Sequence, residues 1–306
     1  MIIFIILGFV SSIFQLVLAR EFTFSIAKNE LALIAGLGVW LLCCSAAALV
    51  GARKKIIPGA GLAVLFSLAF GISVCLAHML KISFAIPYYE IISIVCVLLS
   101  ACVVLGPTGA LSGLAFAQLS RDHLAGSDED RTTVGRLFAY EAFGVLLGGA
   151  AFTFIFSSYD NPLSFAALPL LFVPVLKIPP KGKFAVLVML MGLSIVFTNH
   201  FPILQKKEFQ GTDIVWAQGS PYGPLILTDD QRVRALYLNG SLIATSEDKE
   251  AHETFIHTAL SARAKIQNVL WIGPCLTSQA QELEKYPAMN VTNVDINPRP
   301  ANLPSF

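Results

Sequence analysis

Long apolar runs fill the first two thirds of the chain, and shorter segments of alternating character fill the remainder. A helix crosses the hydrocarbon core of a bilayer with about 20 apolar residues, and seven runs reach or approach that length. The run 163–176 is the shortest and contains Pro169 and Pro174, which favours a tilted, kinked or incomplete helix. We therefore predict a polytopic α-helical membrane domain over residues 1–204, with about seven helices at 2–19, 31–51, 58–80, 90–119, 134–157, 163–176 and 183–200.

The run 90–119 determines the number of membrane crossings. It is long for one straight span, and Gly106-Pro107 interrupts it, so we predict one long, broken helix. Basic residues in short loops mark the cytoplasmic side, and they occur around 53–55, 121–136 and 177–183. Seven crossings place the amino terminus inside and residues 205–306 outside. An eighth crossing at the break would place residues 205–306 inside. The choice between seven and eight crossings stays open.

Composition supports a membrane protein. The chain has 306 residues, of which 55% are hydrophobic and 13% charged, whereas about a quarter of the residues in a soluble domain are charged. The run 2–19 has no basic start and ends in Arg20-Glu21, which favours a retained helix over a cleaved signal peptide. We expect a multi-pass protein of the cell (cytoplasmic) membrane with the lipid bilayer as its partner. The net charge of +1 gives no basic surface for nucleic acid.

Three features inside the apolar runs have chemical meaning. Gly109 and Gly113 share one helix face, as do Gly144 and Gly148, and small residues at this spacing allow close helix contact. We favour packing within the bundle over a dimer contact. Glu141 lies about two turns into the run 134–157, where an ionisable group is costly and by default indicates function. We favour the alternative that it lies near the headgroups or accepts hydrogen bonds from the next helix.

The carboxy-terminal segment, 205–306, is predicted to be a small α/β domain. Alternating residues on both sides of a polar turn predict a β-hairpin within 222–240, and the acidic start of 246–264 favours a helix. Strands at 268–273 and 290–296 flank a helix at 277–286. This order predicts an incomplete Rossmann-like, methyltransferase-type unit over 266–306.

Gly273 and Asp295 are the candidate ligand-binding residues of this unit. Asp295 follows the second strand about 20 residues after Gly273, where a carboxylate can accept hydrogen bonds from ribose hydroxyls. His252 and His257 are five residues apart, and the cysteines form no ligand pattern, so no metal site is predicted.

These segments resemble the spermidine synthase (polyamine aminopropyltransferase) family. The resemblance rests on SPYGPLILTDDQRVRALYLNGS, SEDKEAHETFIHTALS, NVLWIG and NVDINP, and the segments 15–42 and 135–149 resemble the membrane region of fused, membrane-bound members. It implies a hairpin domain before a Rossmann domain. It also implies transfer of an aminopropyl group from decarboxylated S-adenosylmethionine, as co-substrate, to putrescine.

The resemblance is incomplete at the positions that would bind the substrates. His252 and Glu253 match the family's His-Glu pair and are substrate-side candidates, and Asp295 matches the ribose acid. Leu276 stands where the family has an aspartate, followed by Thr277 and Ser278 instead of two glycines. Ile243 and Ala251 replace a glutamine and a tyrosine.

Four hypotheses follow. The chain is a spermidine synthase-like membrane protein that has lost aminopropyl transfer, or a piece of an active transferase. Alternatively, it is a membrane transporter, or a structural membrane protein, with a regulatory soluble tail. A polyamine or a nucleoside is the candidate ligand in the first two cases.

Overall fold

The protein divides into two compact units, Met1–Glu208 and Phe209–Phe306. The boundary lies at Glu208, whereas the hydropathy pattern predicted it at 204. The computed structural model describes residues 1–26, 30–53, 59–84, 93–124, 131–176, 178–209, 212–262, 265–273, 277–287 and 289–297.

The first unit is helical. Its α-helices are α1 (Ile2–Ser25), α2 (Glu30–Arg53), α3 (Gly59–Phe84), α4 (Ile94–Val104), α5 (Gly106–Leu124), α6 (Arg131–Ala151) and α7 (Pro180–Glu208). A π-helical segment, Phe152–Phe156, extends α6, and a 3₁₀ helix spans Pro162–Val175. In the described part of the chain, five helices are long and apolar enough to cross a membrane, or six if α4 and α5 form one bent span.

Of two predicted irregularities, one is present and the other takes a different form. Helices α4 and α5 meet at 47°, which confirms the predicted break at Gly106-Pro107. The segment containing Pro169 and Pro174 forms a 3₁₀ helix of 14 residues. Because a 3₁₀ helix rises about 2.0 Å per residue, this short segment extends roughly 28 Å.

Glycines bring two pairs of helices into backbone contact. A Cβ atom on Gly144 or Gly113 would overlap the carbonyl oxygen of Ile5 or Cys44, respectively. The predicted small-residue faces therefore pack inside the bundle, α6 on α1 and α5 on α2. A second contact lies four residues along both helices in each pair: Gly148 contacts Phe9, and Gly109 contacts Trp40. The residue numbers therefore rise in the same direction on both helices. Helix α6 thus runs parallel to α1, and α5 runs parallel to α2.

The ends of the helices define the direction of the bundle. The ring of Phe4, at the start of α1, lies 6.3 Å from the ring of His123, at the end of α5. His78 of α3 lies 3.4 Å from Glu21, near the end of α1, and 2.8 Å from Glu208, which ends α7. The chain therefore leaves the helical unit at the end opposite Met1. Glu208 belongs to this unit because its side chain is fully buried against His78.

An apolar core contrasts with apolar outer faces. Phe14 of α1 stacks on Phe70 of α3 with ring centroids 4.0 Å apart. Large apolar side chains on α2, α6 and the π-helical segment point outward, including Leu42, Leu146 and Phe154, which are 72%, 67% and 85% exposed. Such surfaces are compatible with a lipid environment.

The second unit contains two sheets. Strands β1 (Asp213–Gln218), β2 (Leu225–Asp229), β3 (Arg234–Leu238) and β4 (Ser241–Thr245) form an antiparallel meander in that order. The pair β2–β3 confirms the predicted hairpin, while β1 and β4 extend it on both sides. Helix α8 (Lys249–Ser261) follows, and then β5 (Asn268–Ile272), α9 (Thr277–Glu284) and β6 (Asn290–Val294) form a parallel β–α–β unit.

Substitution at the glycine contact should lower stability. Gly144→Ala forces α6 away from the backbone of Ile5, and overpacking of this kind costs about 1–3 kcal/mol. Gly149 of the same helix has open space around it, so Gly149→Ala should gain up to about 1 kcal/mol of helix propensity. Thermal unfolding of the detergent-purified chain checks both variants. Equal melting temperatures for the two would contradict the backbone contact.

Candidate functional site

The carboxyl ends of β5 and β6 form the candidate site. The strands pair in parallel from Asn268 with Asn290 to Ile272 with Val294. The ladder continues by one further bond, because the N–H of Gly273 donates to the carbonyl of Val294 at 2.9 Å. Gly273 and Asp295 therefore leave neighbouring strands at the same edge, which is where ligands bind in open α/β sheets.

Gly273 adopts a backbone conformation that favours glycine. Its φ is +112°, and among the described residues beyond its chain neighbours no atom lies within 4 Å of the position where a Cβ would stand. The chain can thus turn sharply after β5 while its backbone stays open to a ligand. The three residues that follow, including Leu276, lie outside the described residues, and the structure resumes at Thr277.

Asp295 is half-buried and held by a local turn. Its Oδ1 accepts a hydrogen bond from the N–H of Asn297 at 3.0 Å. A carboxylate has two oxygens with about four acceptor positions, so Asp295 can retain this turn and also bind two hydroxyl groups. The structure therefore brings together Gly273 and Asp295 as the sequence predicted.

Ser220 and Asn297 connect this edge to the meander, and sequence analysis missed both. The amide of Asn297 donates to Ser220 Oγ at 3.2 Å. Ser220 Oγ also donates to the carbonyl of Gly223 at 2.6 Å and accepts from the N–H of Tyr222 at 3.2 Å. Ser220 and Asn297 are buried. The turn signals Ser-Pro-Tyr-Gly and Asn-Pro could have indicated ordered loops, although not that they meet.

The substrate-side candidates lie on α8. His252 is half-buried, and its backbone N–H donates to the backbone carbonyl of Asp248 at 2.9 Å. Glu253 Oε1 lies 3.8 Å from Lys285 Nζ, within the contact between α8 and α9. Gly273 and Asp295, by contrast, lie at the strand ends. A role for His252 or Glu253 in substrate binding stays a prediction.

An ion cluster holds α9 against α8. His257 Nε2 lies 3.1 Å from Glu282 Oε2, and Lys285 Nζ donates to the same oxygen at 2.5 Å. The Nδ1 atom of His257 is hydrogen-bonded to the hydroxyl of Tyr286. The Lys285 ammonium holds the pKa of the Glu282 carboxyl below its usual range, with His257 adding to the effect. The Glu282 carboxylate in turn raises the pKa of Lys285.

Two residues that depart from the family pattern have apolar or open surroundings. Ile243 packs against the meander core formed by Leu225, Leu227, Leu236 and Ala244. Ala251 is exposed on α8. Neither side chain can donate or accept a hydrogen bond to a polar substrate.

Glu141 belongs to the helical unit. It is half-buried on α6, and its backbone carbonyl lies against Gly8 of α1. A functional role for its carboxyl group stays a prediction.

Comparison with known proteins agrees with the resemblance. The polyamine aminopropyltransferase of Corynebacterium efficiens is 26% identical over 208 residues, covering 62% of this chain and 40% of that protein. Polyamine aminopropyltransferase 2 of Aquifex aeolicus is 29% identical over 168 residues, covering 54% and 33%. The polyamine aminopropyltransferase of Oceanobacillus iheyensis is 28% identical over 207 residues, covering 62% and 40%.

These relatives support a spermidine synthase-like family. The chain spans two fifths or less of their length. No family model matches the chain, and no solved structure matches it.

Lowering the pH should destabilise the packing of α9 because it protonates Glu282. Because its pKa is lowered in the folded state, Glu282 stabilises the fold above the unfolded pKa of about 4.3. This contribution is lost as the pH falls through the lower, folded pKa. Hydrogen exchange of the α9 amides, corrected for intrinsic pH dependence, should show this acid step in the native chain. The step should vanish in Glu282→Gln and persist in Glu284→Gln, whose side chain is exposed; its survival in Glu282→Gln would refute the assignment.

Proposed function

We propose that this chain is a membrane-embedded, spermidine synthase-like protein whose carboxy-terminal unit binds the nucleoside part of decarboxylated S-adenosylmethionine or of its product, methylthioadenosine. The observation that carries the proposal is the position of Gly273 and Asp295 at adjacent ends of two parallel strands. This is the arrangement by which Rossmann-like units hold a ribose.

Each residue of the site has a defined task in this proposal. Asp295 accepts hydrogen bonds from the two ribose hydroxyls, and Gly273 lets the backbone approach the ligand. Asn297 keeps the Asp295 carboxylate in its turn and is itself held by Ser220. The relatives named above are polyamine aminopropyltransferases, which supports a ligand of this chemical class.

We further propose that the chain binds this ligand without transferring the aminopropyl group. Transfer needs polar groups that orient the amine and accept its proton. Leu276 replaces the aspartate that the family resemblance implies at the aminopropyl end of the co-substrate. Ile243 packs against an apolar core. Spermidine formed from putrescine by the purified chain would overturn this part of the proposal.

The bilayer is the proposed environment of the helical unit. Among the residues that the structure describes, five helices are long and apolar enough to span it, and outward-facing side chains on them include Leu42, Leu146 and Ile195. In water these faces would form an extended apolar surface, which monomeric soluble proteins rarely expose. Lipid chains are therefore their proposed partner.

Ligand binding tests the nucleoside site. Titration calorimetry of the detergent-purified chain with methylthioadenosine should give a measurable affinity. Asp295→Asn keeps an oxygen that can accept the bond from the N–H of Asn297 but removes the negative charge that accepts hydrogen bonds from the ribose hydroxyls. The affinity should therefore fall about 10–100-fold. Glu284→Gln removes an exposed carboxylate of α9 and should bind normally. An absence of binding by the folded native chain, or equal binding by Asp295→Asn, would refute the site.

Membrane topology gives a second test. Basic residues gather at the Met1 end of the described helices, which favours a cytoplasmic location for that end. They are Arg53, Arg121, Arg131, Arg136, Lys181 and Lys183, against Arg20, Lys81, Lys206 and Lys207 at the other end. The chain leaves from the end opposite Met1, so residues after Glu208 should emerge outside the cytoplasm. Alkaline phosphatase fused after Glu208 should be active, and green fluorescent protein at the same position should be dark. The reverse pattern would contradict this orientation.

A further inference from the structure

Tyr222 lies on a rigid turn of the meander, between β1 and β2. The N–H of Gly223 donates to the carbonyl of Ser220 at 3.1 Å, which closes a β-turn over residues 220–223. Pro221 occupies the second position of this turn, where the fixed φ of proline is favoured. The backbone of Tyr222, at the third position, is therefore held in one conformation.

A neighbouring turn of the meander supports this one. Gly223 has a φ of +114°, and a Cβ atom at this position would lie only 2.7 Å from Cβ of Asn239. The N–H of Asn239 donates to the carbonyl of Pro224 at 2.9 Å, which ties the residue before β2 to the residue after β3. The turn that carries Tyr222 is thus packed directly against the turn between β3 and β4.

The same turn adjoins the candidate nucleoside site. Ser220 Oγ accepts hydrogen bonds from the N–H of Tyr222 and from the side-chain amide of Asn297, each 3.2 Å long. The N–H of Asn297 donates to Asp295 Oδ1 at 3.0 Å. A single oxygen atom therefore separates the backbone of Tyr222 from the residue that orders the Asp295 carboxylate, which places Tyr222 at the rim of the site.

The side chain of Tyr222 is available to a ligand. It is 43% exposed. Its hydroxyl group makes no hydrogen bond, and its ring no aromatic contact, with another residue in the described ranges. An aromatic side chain on a preorganised backbone loses little conformational freedom when it binds, which is why such residues are common at recognition surfaces.

The position of Asp295 indicates which part of a nucleoside this ring can cover. In Rossmann-like units the acid at the end of the second strand binds the ribose hydroxyls, and the loop after the first strand receives the group attached at C5′. The base is attached at C1′, at the other end of the edge that carries the hydroxyls, and therefore extends away from Gly273. Adenine is thus the flat part of the ligand that an aromatic side chain beside Asp295 can stack on.

We propose that Tyr222 covers the adenine ring of the bound nucleoside and contributes to the selection of a purine base. This inference rests on the nucleoside site proposed above. Stacking of the tyrosine ring on the base removes both faces from water and supplies the affinity. The hydroxyl group of Tyr222 stays in water at the rim and is not required for binding.

Substitution of Tyr222 should change the affinity in a way that depends on the ring alone. Tyr222→Leu keeps an apolar side chain but removes the ring, so the affinity of the full, detergent-purified chain for methylthioadenosine should fall about 10–100-fold. Tyr222→Phe keeps the ring and should bind like the native chain. Tyr159, which is 51% exposed in the helical unit, supplies the control, and Tyr159→Leu should bind normally. Titration calorimetry measures all four affinities.

A photoreactive ligand locates the contact directly. Methylthioadenosine with an azido group at C2 of the base should attach on illumination to the segment 219–224, as seen by peptide mass spectrometry, and excess methylthioadenosine should prevent this. Native affinity in Tyr222→Leu, an equal loss in Tyr222→Phe, or attachment only outside this segment would overturn the role of Tyr222 and leave the nucleoside site standing. An absence of binding by the folded native chain would overturn both.

Discussion

Helix backbones touch directly in this protein where glycine leaves no side chain between them. The contacts of α6 with α1 and of α5 with α2 depend on this absence, since a single methyl group would overlap a carbonyl oxygen. In the bilayer that we propose as its environment, there is little hydrophobic driving force between apolar helices, so close packing and buried hydrogen bonds would hold the bundle. The hydrogen bond from Ser11 of α1 to Ser112 of α5, 2.8 Å long, links the two pairs to each other. The position of α1 in turn allows Glu21 to reach His78.

The two units use polar groups in different ways. In the helical unit several buried polar groups link elements far apart in sequence, such as Ser67, which donates to the carbonyl oxygen of Ala166 at 2.8 Å. In the carboxy-terminal unit they order turns at the ends of strands, where Ser220, Asn297 and Asp295 form one connected series. The first arrangement fixes helix positions, whereas the second orders the sheet edge that we propose as the ligand site.

The sequence pattern predicted those structural features that depend on residues close together along the chain. Apolar runs located the helices, Gly106-Pro107 located the bend, and glycine spacing identified the faces in contact. Gly273 and Asp295 were found because strand, turn and strand follow one another within about 20 residues. The end of α7 was misplaced because Lys206 and Lys207 suggest a solvated segment, whereas Glu208 is buried by His78, 130 residues away. The bond between Ser220 and Asn297 spans 77 residues and left no local signal.

The pairing of α1 with later helices has a consequence for synthesis. Ser11 and its partner Ser112 are separated by 101 residues, and the glycine contact with α6 comes later still. At ribosomal rates of about 5–20 residues per second, α1 is made roughly 5–20 s before its partner residue Ser112. During that interval its hydroxyl groups and glycine face are open to other small-residue helices. The nascent chain is therefore most exposed to wrong pairing and to degradation before α5 and α6 are made.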